Sequence, residues 1–301
     1  ANVFGQMVDD FNETYDGKYQ VKIEDQTDYK LYRDKIRTMI STGDAPDIFT
    51  LDTMADLTLF ASSGKLMDLT QFLESSEMSE RFMEGTIDKA KIEGVNYAIP
   101  YEIGLMPIMY NERLLTEAGV DSVPKSYEEL WEVCENLNGI GVYPAVQQTK
   151  DPAWISMLWY SYALAACGGP DIYDKGLDDP AYVEAAELIL KMFDYTASDG
   201  LGGDATTANG HFFNERAAIY TNGSWILGRI QSEGVEGLYE NLTVAGGLSY
   251  DGNNGGAYVS SVQAYLAAGK QEDPKKQEAV EAFFKFITEK ERIVELTNDS
   301  G

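Results

Sequence analysis

Hydrophobic residues recur along the chain at two spacings, and each spacing is typical of one kind of element. Near the N-terminus they lie three and four positions apart, which predicts a helix with one buried face. That face is formed by Phe4, Met7, Val8 and Phe11. Residues 19–23 alternate between apolar and polar side chains and predict a strand. A helix over 29–40 ends at Gly43, a strand follows at 47–51, and a short helix covers 55–61. This rhythm predicts a mainly parallel sheet with covered faces.

Helical spacing recurs in the rest of the chain. A helix begins after Ser126, because the Ser126 hydroxyl and the Glu129 carboxylate form an S-x-x-E capping box. A later helix begins after residues 179–180, where an aspartate cap is followed by proline. Its predicted apolar stripe is formed by Val183, Ala186, Leu190 and Phe193. Residues 279–287 repeat the pattern near the C-terminus.

The stretch 212–225 combines several signals in fourteen residues, FFNERAAIYTNGSW. Its short apolar run at 217–220 is bounded by a glycine turn at 222–223, which predicts a buried strand. The turn places Trp225 at the carboxyl end of that strand, beside the start of another helix. Ligands of open α/β sheets bind at this edge, so Trp225 is a candidate contact. Simple core packing of Trp225 is the alternative, and the sequence leaves it open.

Six segments, in matching order and spacing, carry a resemblance to a known family. They read GDAPDI at 43–48, ASSGKLMDL at 61–69, GVNYAIPYE at 94–102, YNERLL at 110–115 with AG at 118–119, PKSYEEL at 124–130, and the stretch 212–225. Together they resemble the signature of the family 1 extracellular solute-binding proteins. These proteins are the sugar-capturing subunits of ABC importers.

The resemblance implies a two-lobed α/β fold of the type II periplasmic-binding-protein kind, with discontinuous lobes joined by a hinge. We expect residues 1–103 and 259–301 to form lobe 1 and residues 104–258 to form lobe 2. The chain would cross near 103–108 and near 255–260, and two crossings favour hinge bending. Relative to the family pattern, a strand before the first helix and helices after the last residues are absent. We therefore expect a chain that is truncated at both ends.

The resemblance also implies which residues contact the sugar. The loop after P-D-I, the glutamate of P-x-E and the tryptophan of G-x-W correspond to Asp52, Glu102 and Trp225. The segment 151–154, ahead of an apolar helix, resembles the stretch whose aromatic residue projects into the cleft, which implicates Trp154. Trp159 is held in reserve, with core packing as the alternative reading of its position.

Sugar chemistry adds further candidates. A sugar offers C–H faces that aromatic rings cover and hydroxyl groups that carboxylates and amides bind. We therefore add Tyr101 and Tyr258 for stacking, and Asn222 and Gln148 for hydrogen bonding.

Composition and charge exclude several classes of function. The 301 residues include 50 acidic and 23 basic side chains, for a net charge of −27 at pH 7. Such a chain is repelled by nucleic acid and by anionic membranes. The one histidine, His211, argues against a Ser-His-Asp triad and a multi-histidine zinc site. The loop 251–256 superficially resembles a calcium loop, but its twelfth position is Val262 rather than glutamate. Cys134 and Cys167 lie in apolar helical contexts and are expected to be free thiols.

We expect a binding protein rather than an enzyme, without cofactor or metal. It would capture a neutral oligosaccharide by hinge closure, as a monomer, and deliver it to the membrane permease subunits of an ABC importer. The resemblance places it outside the bacterial cytoplasm, as a lipoprotein or free in a periplasm. A polyamine or other cation is the alternative ligand, since carboxylates and aromatic faces attract cations. A glycoside hydrolase using Asp52 and Glu102, or an interaction protein with an apolar face, are the alternatives from other classes.

Overall fold

A computed structural model describes residues 3–26, 28–150 and 152–300. The chain divides into two compact units: unit 1 is Ala1–Gly104 with Ser261–Gly301, and unit 2 is Leu105–Ser260. Each unit has its own sheet and its own apolar core. The expected movement of two lobes about a hinge stays a prediction.

The helices and strands follow in chain order. The α-helices are α1 (Val3–Thr14), α2 (Tyr29–Thr42), α3 (Met54–Ser62), α4 (Thr70–Glu74), α5 (Ser76–Ser79), α6 (Glu112–Glu117), α7 (Tyr127–Gly139), α8 (Trp154–Gly168), α9 (Ala181–Phe193), α10 (Ala205–Phe213), α11 (Leu227–Glu233), α12 (Pro274–Ile287) and α13 (Lys290–Ser300). The strands are β1 (Ile48–Leu51), β2 (Lys91–Ile92), β3 (Val95–Asn96), β4 (Ala98–Leu105), β5 (Ile108–Asn111), β6 (Tyr143–Ala145), β7 (Ala217–Thr221), β8 (Leu242–Ala245) and β9 (Ser260–Ala268). In the described part of the chain, five short 3₁₀ turns connect them: Ile87–Ala90, Ile172–Asp174, Ser198–Gly200, Ser224–Ile226 and Tyr239–Asn241.

Most of the predicted helices and strands are confirmed, and their end signals act as expected. Gly43 ends α2 in the left-handed region at φ 86°, as predicted. Asp28, which was not among the predicted caps, accepts a hydrogen bond from the Leu31 N–H at 2.8 Å and caps the start of α2. The Ser126 hydroxyl accepts from the Glu129 N–H at 3.2 Å and caps α7. Within the described ranges, no helix combines the length and the apolar character that crossing a membrane requires.

The prediction of a mainly parallel sheet is wrong. In unit 1 the order is β1-β9-β4, and β1 runs antiparallel to β9, with Ile48 opposite Ala268. In unit 2 the order is β6-β7-β5-β8; β5 is antiparallel to both neighbours, while β6 and β7 are parallel. Alternating helices and strands fix strand direction only when successive strands are neighbours. Here β1 and β5 pair with strands from distant parts of the chain, so the rhythm does not determine direction.

The predicted strand at 19–23 is also wrong. Among the residues that the structure describes, this segment pairs with no strand. The backbone of Val21 instead bonds to the Asn12 side chain, which accepts from the Val21 N–H at 2.7 Å and donates to the Val21 carbonyl at 2.9 Å. The amide group of Asn12 therefore supplies the donor and acceptor that a neighbouring strand would supply.

The helix α9 forms as predicted, but its buried face is different. Val183 and Leu190, expected in the apolar stripe, are 64% and 68% exposed. The buried residues are Ala181, Ala185, Leu188 and Met192. Two of them are alanines, and α9 packs along α8, where small residues allow two helices to approach closely. Large apolar side chains dominate a sequence pattern, so the pattern points to the wrong face.

Candidate functional site

The strand β7 ends in a turn that holds Trp225 at the surface of unit 2. The predicted buried strand at 217–220 is confirmed, and β7 extends by one further buried residue, Thr221. The turn at Asn222 and Gly223 leads into the 3₁₀ turn Ser224–Ile226. Trp225 is 42% exposed, so core packing of its side chain is excluded. A Cβ added to Gly223 would lie 2.1 Å from the Trp225 ring. Glycine is needed there because the ring lies directly over its backbone, and not because of φ, which is −75°.

Trp154 and Trp225 lie together in unit 2; we refer to them as the tryptophan pair. Their ring centroids are 6.1 Å apart, and the planes are tilted by 40°. Trp154 is half-buried at the first position of α8, and its indole Nε1–H has no hydrogen-bond partner among the described residues. Asp151, part of the segment that implicated Trp154, lies outside the described residues. Two residues selected from separate motifs thus form one aromatic surface with two differently directed faces.

Asn222 is buried and shapes the turn beneath the tryptophan pair. Its Nδ2 donates to the Tyr220 hydroxyl at 2.6 Å, and its Oδ1 accepts from the Gly223 N–H at 2.8 Å. The Tyr220 hydroxyl in turn donates to Asn209 Oδ1 at 2.6 Å, and burial raises the pKa of Tyr220 to about 12. Because its amide is engaged with the protein, Asn222 positions Gly223. Its direct contact with a ligand stays a prediction.

The other candidates of unit 2 occupy different environments. Tyr258 is 45% exposed, as a stacking residue requires. Gln148 is buried, and its Nε2 donates to the Lys150 carbonyl at 3.3 Å. Trp159 is fully buried, and its Nε1–H donates to the Val146 carbonyl at 3.1 Å. The reserve assignment of Trp159 as a contact is therefore wrong, and the core-packing alternative is confirmed.

In unit 1, Asp52 follows the carboxyl end of β1. The next residue, Thr53, caps α3 by accepting from the Asp56 N–H at 3.1 Å, so the chain turns sharply and leaves Asp52 at the rim. Asp52 is half-buried and lines a recess of about 150 Å³. Polar residues that share this lining are Tyr32, Arg33, Arg37, Thr50, Asp56 and Gln263.

Asp52 shares this recess with three charged residues that the sequence reasoning missed. We refer to Arg33, Arg37, Asp52 and Asp56 as the arginine–aspartate cluster. The two arginines are four positions apart on α2 and share a face. Asp56 Oδ2 accepts from Arg33 Nη2 at 2.6 Å, and Asp56 Oδ1 accepts from Arg37 Nη2 at 2.7 Å. Burial alone would raise the pKa of the Asp56 carboxyl, but the two guanidinium groups outweigh it and hold that pKa below its ordinary value.

Tyr101 and Glu102 are neighbours on β4, and adjacent strand residues point to opposite faces of a sheet. Tyr101 packs against the core of unit 1, and its hydroxyl donates to the Ile287 carbonyl at 3.3 Å. Burial and the Glu102 charge raise the pKa of Tyr101 to about 12. Glu102 is exposed. One ligand therefore cannot meet both faces, and the geometry favours Glu102 over Tyr101 as a contact.

Nowhere in residues 3–26, 28–150 and 152–300 do three or more His, Cys, Asp or Glu side chains come together as a metal would need. His211 Nε2 lies 2.8 Å and 3.0 Å from the two carboxylate oxygens of Asp199. Both cysteines are free thiols, and burial raises the pKa of Cys134 to about 12, which makes it a poor nucleophile.

Residues 6–301 match the family model described as bacterial extracellular solute-binding protein. The chain belongs to this family. The motifs at 43–48, 94–102 and 212–225 thus correctly indicated it.

Relatives of this solute-binding protein are known by sequence and by structure. It is 25% identical over 207 residues to the maltotriose-binding protein of Pyrococcus abyssi, which covers 67% of this chain and 42% of that one. It is 23% identical over 285 residues to the diacetylchitobiose binding protein of Streptomyces coelicolor, which covers 89% of this chain and 62% of that one. The chain thus spans less than two thirds of the length of these relatives.

A probable secreted solute-binding lipoprotein from Streptomyces coelicolor superposes on this solute-binding protein with a TM-score of 0.83. The match covers 99% of this chain and 76% of that one at 20% identity. At that identity the likeness shows the fold, and the expected periplasmic-binding-protein-like α/β fold is confirmed.

Proposed function

We propose that this chain is the ligand-binding component of a bacterial ABC import system and that its ligand is a neutral oligosaccharide. The observation that carries the proposal is the tryptophan pair, in which a 42% exposed ring is held over a glycine backbone beside a second indole. Exposed aromatic faces at a fixed angle suit the C–H faces of sugar rings. The names of two relatives, which bind maltotriose and diacetylchitobiose, point to the same ligand class.

Capture requires no covalent chemistry. A sugar that contacts both units in one arrangement stabilises that arrangement, so closure is a shift of population. The loaded form would then dock on permease subunits of the importer, outside the cytoplasmic membrane and as a monomer. Asp52, Glu102, Trp154, Trp225 and Tyr258 are the proposed contacts; Asn222 and Tyr101 complete the set as supports of the turn and of β4.

The test is intrinsic tryptophan fluorescence during titration with maltotriose, diacetylchitobiose, spermidine and glycerol 3-phosphate. We expect a saturable change with a neutral sugar, lost in Trp225→Ala and retained in Trp225→Phe, which keeps an aromatic face. Trp131→Phe is the matched control, because the Trp131 ring stacks on Tyr195, with ring centroids 5.7 Å apart, and is not a member of the tryptophan pair.

Three other results would contradict the proposal. Saturation with spermidine alone would replace the ligand class by a polyamine. Release of reducing sugar from the oligosaccharides would indicate a glycoside hydrolase. A sugar response unchanged in Trp225→Ala would remove the tryptophan pair from the site.

A further inference from the structure

Tyr258, one of the proposed sugar contacts, lies between β8 and β9 and belongs to neither strand. We propose that Tyr162 is the positioning residue for Tyr258: it holds the backbone on both sides of that residue and connects it to α8, the helix that begins with Trp154. This inference rests on the carbohydrate function proposed above and adds the residue that fixes one of its stacking groups.

The Tyr162 hydroxyl belongs to a closed ring of three hydrogen bonds. It accepts from the Val259 N–H at 3.2 Å and donates to the Met106 carbonyl at 2.6 Å. The Met106 N–H donates to the Val259 carbonyl at 3.0 Å and completes the ring. The residue that directly follows Tyr258 is therefore held through both its backbone N–H and its carbonyl.

The aromatic ring of Tyr162 supports the residue on the other side of Tyr258. A Cβ added to Gly247 would lie 2.7 Å from the Tyr162 ring, so the ring packs directly on the Gly247 backbone. The Gly247 N–H in turn donates to the Ala257 carbonyl at 2.6 Å. Ala257 and Val259 are thus both held, while the Tyr258 side chain between them is 45% exposed.

Tyr162 acts through Tyr258 and not by contact with the ligand, because its own side chain is only 2% exposed. Burial raises the pKa of Tyr162 to about 12, against the effect of the Val259 hydrogen bond, so the hydroxyl keeps its proton at neutral pH and can donate. Trp154 begins α8, and Tyr162 lies about two turns further along the same helix. One helix therefore supports an indole of the tryptophan pair and also the segment that carries Tyr258. A stacking group that is held before the ligand arrives loses little freedom on binding.

The experiment is calorimetric titration of the full chain with whichever of maltotriose or diacetylchitobiose binds the wild type. Tyr162→Phe removes the hydroxyl and keeps the ring, and we expect about fivefold weaker binding, because the ligand must then order the Tyr258 side chain. Gly247→Ala, which crowds the Tyr162 ring and leaves its hydroxyl in place, should weaken binding as well. Tyr160→Phe is the matched control and should bind like the wild type, because Tyr160 lies on the same helix but donates to the Tyr182 carbonyl at 3.1 Å.

Two backgrounds separate positioning from general damage. In Tyr258→Ala, the change Tyr162→Phe should cause no further loss of affinity, because Tyr162 acts through Tyr258. In Trp225→Phe, which keeps an aromatic face in the tryptophan pair, the same change should cause its full loss. Amide exchange followed by NMR is an independent readout: the Val259 N–H should exchange at least about tenfold faster in Tyr162→Phe, and the Ile219 N–H of β7 should be unchanged.

Three results would overturn this inference alone: wild-type affinity in Tyr162→Phe, wild-type affinity in Tyr258→Ala, or an equal effect of Tyr162→Phe in both backgrounds. No binding of either sugar by the wild type would overturn the carbohydrate function and the inference with it.

Discussion

The tryptophan pair and the arginine–aspartate cluster are built by opposite means. The pair depends on local sequence: a strand end, an asparagine turn and a glycine beneath the ring place Trp225 within four residues. The cluster depends on tertiary contact, because its arginines and aspartates lie on different elements, up to 23 residues apart. The first is apolar and insensitive to solution conditions. The arginine–aspartate cluster is a network of charges, so its stability depends on pH and on salt concentration.

The largest effect should come from removing the centre of the cluster. Asp56→Ala leaves two guanidinium groups without their shared carboxylate, and we expect about 2 kcal/mol of lost stability. The expected loss is smaller than the roughly 3–5 kcal/mol typical of a fully buried ion pair, because both arginines are partly in solvent. Chemical denaturation measures it, with Asp34→Ala on the exposed face of α2 as control. An unchanged unfolding midpoint in Asp56→Ala would show that the cluster does not contribute to folding stability.

The stability that the arginine–aspartate cluster provides should depend on pH. The folded pKa of Asp56 lies below its unfolded value, so its stabilising effect is present above the unfolded pKa of about 4 and is lost as pH falls through the folded value. The stability gap between wild type and Asp56→Asn should therefore narrow below about pH 4. A gap that stays constant down to the acid transition would contradict the assigned pKa direction.

A smaller effect is expected from crowding the tryptophan pair. Gly223→Ala forces the Trp225 ring off the backbone, and we expect about tenfold weaker sugar binding with the fold retained. Gly228→Ala on the exposed face of α11 is the control, because a Cβ there meets nothing within 4 Å. Equal affinities of the two variants would mean that the position of the ring is not used in binding.

The smallest effect should be that of salt on affinity. A neutral ligand has no net ionic attraction to the protein, so its affinity should change less than about twofold between about 0.05 and about 0.5 M NaCl. Titrations at several salt concentrations measure this. A steep loss of affinity would indicate a charged ligand and would contradict the proposed neutral oligosaccharide.

Local signals in the sequence predicted much of the fold. The cap at Ser126, the glycine at the end of α2 and the buried run of β7 act over a few residues, and all three were predicted. The predictions that were wrong concern features that depend on residues far away in the sequence. Strand direction in both sheets is set by pairing across the chain, and the strand expected around Val21 found an asparagine side chain instead.

The candidate site also contains residues that local motifs predicted and residues that only the tertiary structure revealed. Trp154 and Trp225 were selected from separate motifs, and the structure brings together the first residue of α8 and the 3₁₀ turn that follows β7. Arg33 and Arg37 gave no signal beyond their spacing on α2, since two arginines on an exposed helix are ordinary. Only the fold of α3 against α2 brings Asp56 between them.

Gly223, which lies under the Trp225 ring, also limits which substitutions can change the ligand range of this protein. Position 225 can exchange one ring for another and change the shape offered to a ligand, because the surface below it is bare backbone. Position 223 must remain glycine, because the Cβ of any other residue would clash with the Trp225 ring. Substitutions at Trp154 and Trp225 can therefore change the ligand range while an aromatic ring stays in place. Substitutions at Gly223 cannot, because they displace the ring. A library built to change ligand preference should randomise 154 and 225 and hold 223 fixed.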